Sequence, residues 1–358
     1  MRERRGARTS TCLLTLAMTN LLWLWSLAAA ARCSSANESS DDPRYMLLGT
    51  WYGGATRAFV DAGVAAGFNS VRVTADWGRM ETAPGVIDWS VLDNQTAYVH
   101  DVSKLPLVFN IWCRRNGPDA VVPLAGLAVD QFGNGSTNRG STWSISFGNE
   151  AAVSSALAFA KAVVKRYQQR YPSTLMFYVC FDGYSETEYF PGEPDGGYFD
   201  FSSGLHSRLV DYLTSKYKNT TALNAAWGTQ YTALDQARPP TDNQPDGRKY
   251  IDWYLFREYM LGTVIRRVSE TVHGVSPTLK VAVQWGSVYD AAIRLRGVIN
   301  FPCLAQEIDV VWVDDAPSYP SCFAMDYLRS NLPPSTWLAN EVYCNQFPRS
   351  FVLILTRY

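Results

Sequence analysis

Seven short apolar runs, separated by helical or loop sequence, constrain this 358-residue chain more than any other feature. The spacing predicts strands over 45–51 (YMLLGTW), 69–76 (NSVRVTAD), 105–112 (LPLVFNIW), 175–182 (LMFYVCFD), 279–285 (LKVAVQW), 308–315 (IDVVWVDD) and 335–341 (STWLANE). Helical patterning runs over 59–67, 91–104, 149–171, 205–216 and 250–273. Strands separated by helices pair in parallel, because the crossover returns the chain to the same end of the sheet. Long loops after the strands, at 114–148 and 183–204, favour a closed α/β architecture over an open sheet. The expected fold is a (β/α)8 TIM barrel occupying residues 45–358.

The end of the chain breaks the pattern. After the seventh strand it reads VYCNQFPRSFVLILTRY, and no helix separates FVLIL from that strand. A crossover needs at least about ten residues before the next parallel strand. The sequence therefore predicts a barrel truncated before strand eight, with two apolar edges left open.

The start is a targeting segment. Arg2, Arg4, Arg5 and Arg8 precede an uncharged stretch over 9–31, and small residues follow near Ala30–Cys33. Residues 1–32 are expected to be a cleaved signal peptide or an uncleaved signal anchor, since the stretch is also long enough to span a bilayer. The body is then secreted, luminal or extracellular, or held there as a type II membrane protein. Residues 33–44 (CSSANESSDDPR) read as a flexible lead-in. Sequons at Asn37, Asn94, Asn134 and Asn219 suit a glycoprotein.

Composition removes several function classes. A net charge of −1 with interspersed signs gives nucleic acid no basic stripe to bind. The three histidines (His100, His206, His273) are scattered and no CxxC pair exists, so no metal site is expected. No cofactor is implied. Cys303 and Cys322 are candidates for a disulfide, and Cys180 for a buried free thiol. With 12 Trp and 20 Tyr, the chain has aromatics for core packing, for sugar platforms, or for both.

The stretch ALNAAWGTQYTALDQARPP (222–240), between the helical run YLTSKYKNTT and IDWYLFREYM, resembles the middle of glycoside hydrolase family 42, the β-galactosidase-like enzymes of clan A. The run DWGRMETAPGVIDWSVLD (76–93) resembles that family's segment after strand two. The resemblance implies a retaining mechanism with two glutamates at the ends of strands four and seven, acting on an oligo- or polysaccharide, β-galactoside-like, without a cofactor. In this chain the strand-seven glutamate is Glu341 and would be the nucleophile. For the acid/base two residues stand open: strand length favours Glu186, whereas alignment on Tyr189 favours Glu188 with Thr187 in place of the family's Asn. Arg72 in strand two resembles the family's arginine near the nucleophile, with Glu341 its natural partner.

Other candidates for substrate binding are Trp77 and Glu81 after strand two, Asn110 and Trp112 in strand three, Asp182 after strand four, Trp285 ending strand five, and Asp314 with Asp315 ending strand six. Asn149-Glu150 imitates an acid/base dipeptide but opens a long helix, where Asn is an N-cap and Glu suits the first turn. Two further readings stay open: a catalytically inactive carbohydrate-binding form, motivated by the missing Asn and strand eight, and an inverting enzyme with more widely spaced carboxyls.

Overall fold

The computed structural model describes residues 45–50, 56–135, 143–181, 186–189, 199–241, 247–286, 296–298, 300–316, 321–343 and 350–356. The expected targeting segment, the lead-in, the Asn37 sequon and Asp182 lie outside the described residues.

Eight strands close a barrel: β1 (Tyr45–Thr50), β2 (Ser70–Asp76), β3 (Leu107–Trp112), β4 (Met176–Cys180), β5 (Val281–Trp285), β6 (Val310–Ala316), β7 (Trp337–Tyr343) and β8 (Ser350–Thr356). β1 to β7 run parallel in chain order, as the alternation predicts. The parallel βα pattern does stop at β7. The two edges are nevertheless not open, because β8 enters between β7 and β1 antiparallel to both, with Glu341 opposite Leu353 and Tyr45 opposite Leu355. An antiparallel neighbour needs only a hairpin connection, so FVLIL pairs without the missing helix. Closure satisfies the backbone groups of both edges.

Strand alternation sorts the side chains into two cores. Val71, Val73, Phe109, Ile111, Phe177, Val179, Val281, Val283, Val311 and Val313 face outward and pack under the helices. Val108, Trp112, Met176, Tyr178, Cys180, Ala282, Val310, Trp312 and Ala339 fill the barrel interior. The residues sharing the inward register with these are Arg72, Asn110, Gln284 and Glu341, all buried. A polar set on the inward register of otherwise apolar strands is what positions the site.

Among the described residues seven main helices cover the barrel: α1 (Arg57–Ala65), α2 (Ser90–Ala97), α3 (Glu150–Arg170), α4 (Ser203–Tyr217), α5 (Thr220–Trp227), α6 (Gly247–His273) and α7 (Ser321–Asn331). α5 and α7 were not anticipated as helices. As expected, Asn149 caps α3, its Oδ1 accepting from the Ala152 N–H at 3.0 Å, while Glu150 binds Ser154 and Arg267. α6 buries Trp253, Phe256, Leu261, Val264 and Val268 along one stripe against the sheet.

The 222–240 signature proves to be a joint between helices. Gly228 ends α5 with a left-handed φ of +67°, which glycine adopts without a Cβ penalty. Asn224 then folds the chain back, accepting from Thr229 Oγ1 at 2.8 Å and the Tyr231 N–H at 2.9 Å, and donating to the Tyr231 carbonyl at 2.8 Å. Trp227 Nε1 donates to Asp252 Oδ2 at 2.8 Å, and Lys216 Nζ donates to Asp252 Oδ1 at 2.7 Å. The Tyr217 hydroxyl also donates to this fully buried carboxylate, and Arg248 Nε lies 3.3 Å from its Oδ1. One aspartate thus ties α4, α5 and α6 together.

Candidate active site

The strand-four glutamates sit where the barrel wall opens. β4 and β5 pair only at Phe177–Val281 and Tyr178–Ala282, then separate. Residues 186–188 fill the gap. The Thr187 N–H donates to the Gln284 carbonyl at 2.6 Å, the Gln284 N–H donates to Thr187 Oγ1 at 3.3 Å, and Thr187 Oγ1 donates to the Val179 carbonyl at 2.8 Å. Trp285 Nε1 adds a bond to the Thr187 carbonyl at 3.0 Å. In the register that sets Glu188 at the acid/base position, Thr187 stands in place of the family's Asn, and its hydroxyl bridges two strands.

Glu186 and Glu188 flank that threonine and meet a common partner. Arg296 Nη1 contacts Glu186 Oε2 at 2.7 Å and also bonds Glu188 Oε1. Glu188 Oε2 accepts from the Gly286 N–H at 3.1 Å. A Cβ at Gly286 would lie 2.8 Å from Arg296 Nη1, so the guanidinium lies directly across this glycine. The Glu188 side chain is fully buried, and Glu186 retains 8% exposure. Glu186 is thus the more accessible of the two.

Glu341, on β7, is buried with 1% exposure, and its Oε2 accepts from Gln284 Nε2 at 2.8 Å. Gln284 thus reaches both glutamate-bearing elements, Thr187 through its backbone and Glu341 through its side chain. Arg72 Nη1 donates to the Tyr178 hydroxyl at 3.0 Å. Burial drives the Tyr178 phenol well above its ordinary pKa; the Arg72 charge opposes this, and Cys180 and Glu341 add to it. Arg72 and Glu341 therefore act on the same phenol from inside the barrel. Asn110 accepts from the Cys180 thiol at 3.1 Å, deeper in the same interior. Trp112 stays at the inner register with the Arg114 guanidinium 3.5 Å from its ring centroid, and Arg114 also holds Asp76 at 2.7 Å.

Four expectations change. Trp285 is one residue off the inward register: it is fully buried in the outer core, edge-on to Phe301 at 5.3 Å, and offers no sugar platform. Trp77 is fully buried too, stacked on Phe159 at 6.2 Å, because the short helix Trp77–Met80 turns it away from the interior. Glu81 accepts from Trp77 Nε1 and from the Gly85 N–H at 2.7 Å, so it shapes the loop. Cys303 is a free, exposed thiol in the short helix Phe301–Leu304, so the expected bridge to Cys322 does not form; Cys180 is buried and free, as expected. Asp314 lies in β6, its side chain outside the described set, and Asp182 has no described position. Among the described residues no cluster suited to a metal ion occurs. Gln284, Tyr178 and Arg296 were missed. For Gln284 and Tyr178 the available signal was a polar group on the inward register of an apolar strand; Arg296 carried none.

A closed barrel with glutamates at the ends of its fourth and seventh strands, joined through one buried glutamine, has the architecture of a TIM-barrel glycosidase. The profile of glycoside hydrolase family 42, described as β-galactosidase, matches residues 134–336, and as this is more than half of the chain, the protein belongs to that family. The match includes Glu186 and Glu188 and ends before Glu341. Among curated proteins, the chain is 23% identical over 256 residues to a β-amylase of Niallia circulans, covering 60% of this chain and 43% of that protein. It is 22% identical over 252 residues to a β/α-amylase of Paenibacillus polymyxa, covering 59% of this chain and 20% of that protein. The chain thus spans less than half the length of these two relatives. Among solved structures, the catalytic domain of β-amylase from Paenibacillus polymyxa superposes with a TM-score of 0.64 at 16% identity, covering 79% of this chain and 82% of that one. A β-galactosidase from Halorubrum lacusprofundi superposes with a TM-score of 0.59 at 17% identity, covering 76% and 40%. At these identities the structural likeness is one of fold.

Proposed function

We propose that the protein is a retaining glycoside hydrolase that cleaves β-glycosidic bonds, with Glu341 as nucleophile and Glu186, or else Glu188, as acid/base. The observation that carries this reading is Gln284: one residue of β5 is bonded both to the Thr187 that separates the strand-four glutamates and to Glu341. In this scheme a Glu341 oxygen attacks the anomeric carbon as the glycosidic C–O bond breaks, and the acid gives its proton to the leaving oxygen. The resulting carboxylate then takes a proton from water. That water's oxygen attacks the anomeric carbon and releases Glu341. Arg72, Asn110 and Trp112 line the inside of the same barrel mouth and are the proposed contacts for substrate. A β-galactoside-like oligo- or polysaccharide is the proposed substrate, supported by the family's description as β-galactosidase.

A second reading is amylase-type specificity, supported by the 23% identity over 256 residues to a β-amylase. A third, an inactive carbohydrate-binding form, is supported by the Arg296 guanidinium that occupies both strand-four carboxylates. We further propose that the enzyme works on the luminal or extracellular side, on the strength of its basic-then-apolar N-terminus.

The test is intact-mass labelling with 2-deoxy-2-fluoro glycosides of galactose and glucose, followed by peptide mapping. The expected result is an adduct on Glu341 from a galactoside. Turnover of malto-oligosaccharides with no galactoside reaction would support the amylase reading. A cooperative melt with sugar binding but neither adduct nor turnover would overturn the catalytic proposal.

A further inference from the structure

We propose that Gln284 is the positioning residue of the nucleophile: its amide N–H orients Glu341 and favours the ionised carboxylate. The inference rests on the assignment of Glu341 above.

The amide has only one workable orientation. Gln284 is 3% exposed, and its Nε2 lies 2.8 Å from Glu341 Oε2. Rotating the amide by half a turn would set its carbonyl oxygen against the carboxylate, lone pair to lone pair. The orientation seen has a cost of its own: Gln284 Oε1 is buried and makes no hydrogen bond among the described residues. A buried acceptor left unsatisfied is unfavourable, so the donor contact to Glu341 must outweigh it. The backbone of Gln284 is held independently by Thr187 at 2.6 and 3.3 Å. Its side chain can therefore be changed without releasing the segment that bears Glu186 and Glu188.

The groups facing Glu341 come from several strands. β5 brings the Gln284 amide. β4 brings the Tyr178 phenol, which carries an electrostatic interaction with Glu341, and β2 brings Arg72, which bonds that phenol. On the neighbouring strands, Glu341 registers with Leu353 of β8, and beside it on β6 lies the irregular stretch between Val313 and Ala316, which carries Asp314 and Asp315. A hydrogen-bond donor stabilises the charged form of a carboxylate, and a like charge at the same place opposes it. Removing the donor must then raise the pH at which Glu341 ionises. Replacing the amide by a carboxylate must raise it further.

The test compares Gln284→Met and Gln284→Glu with the wild type by carbonyl NMR of protein labelled with ¹³C at glutamate carboxyls. The Glu341 resonance is identified by its loss in Glu341→Gln. This readout needs no turnover, so it separates failure of the proposal from failure of the catalytic assignment. The expected midpoint rises by about one pH unit in Gln284→Met and by more in Gln284→Glu. Where the enzyme turns over, the acidic limb of kcat/KM should move by the same amount, with kcat falling more than KM changes. An unchanged Glu341 midpoint in both folded variants would overturn the proposal. Loss of melting temperature alone, with the midpoint unmoved, would also overturn it, since that is what a merely structural glutamine would give.

Discussion

The joint between α4, α5 and α6 and the ends of β4 and β7 are held by opposite means. At the joint, several residues distinctive in the sequence converge on one aspartate within a short span of chain: Trp227 and Asp252 are separated by 25 positions and bonded directly. At the strand ends, the partners are distant. Gln284 reaches Glu341 across 57 positions, and its backbone N–H reaches Thr187 across 97. The joint is dense with recognisable residues. The site is built from single polar residues set into ordinary apolar strands. A conspicuous motif can therefore mark the scaffold, while the chemistry rests on residues whose neighbours in sequence reveal little.

The largest effect expected from this contrast is at the strand end. Glu341→Gln keeps the shape and the Gln284 neighbour but removes the carboxylate proposed as nucleophile. Turnover should fall by at least about 10³-fold, with the thermal midpoint little changed. Steady-state kinetics beside a melting curve checks this. A variant retaining most of its activity would break the comparison, because the strand ends would then be scaffold as well.

At the joint the expected loss is in stability. Asp252→Ala leaves Lys216, Tyr217 and Trp227 without their buried acceptor and should cost about 3–5 kcal/mol in urea unfolding. Activity per folded molecule should be unchanged. The pH dependence follows. Burial opposes ionisation of Asp252, but the bonds from Lys216, Tyr217 and Trp227 outweigh it and hold the carboxyl below its ordinary 3.8. A depressed pKa in the folded state contributes stability that is present above the unfolded value and is lost as the pH falls through the folded one. Asp252→Asn should therefore be less stable than wild type near neutral pH, with the gap narrowing below about pH 4.

How much of this was legible in the sequence follows from the same contrast. The seven parallel strands were, because apolar runs of that length separated by helices have few alternatives. Asn149 was legible as a cap, since its partner lies three residues away. β8 was legible only as an apolar run, FVLIL; its antiparallel pairing was not, because that sense needs no intervening helix and leaves no signature. α7 was missed between two strands, although SCFAMDYLRSN is as amphipathic as α4. Trp285 was misread because a strand end fixes which residues are near the mouth but not which face them, and a shift of one position sends a side chain into the outer core. Arg296 was invisible: nothing local to it announces two glutamates 110 and 108 positions away.

A gentler change sharpens the reading of the signature. Trp227→Phe keeps most of the ring and deletes only the N–H bonded to Asp252. It should cost about 1–2 kcal/mol, less than Asp252→Ala, because Lys216 and Tyr217 still hold the carboxylate. Equal losses in the two variants would mean that packing of the indole, rather than its hydrogen bond, makes the joint.

The smallest expected effect tests the dipeptide that most imitates chemistry. Asn149 accepts from the Ala152 N–H and donates to the Ala125 carbonyl at 2.9 Å, and Glu150 pairs with Arg267 on α6 at 2.7 Å. Each contact holds the start of α3, and Glu150 is largely exposed at the helix end. Asn149→Ala should cost about 1 kcal/mol, the usual loss of an N-cap, with kcat/KM unchanged. Glu150→Gln should cost less still, since an exposed ion pair is worth little and is screened by salt. Both effects would be read in parallel melts and rate assays. A rate loss at either position larger than its stability loss would move the acid/base from the end of β4 to the start of α3, and the division between scaffold and chemistry would have to be redrawn.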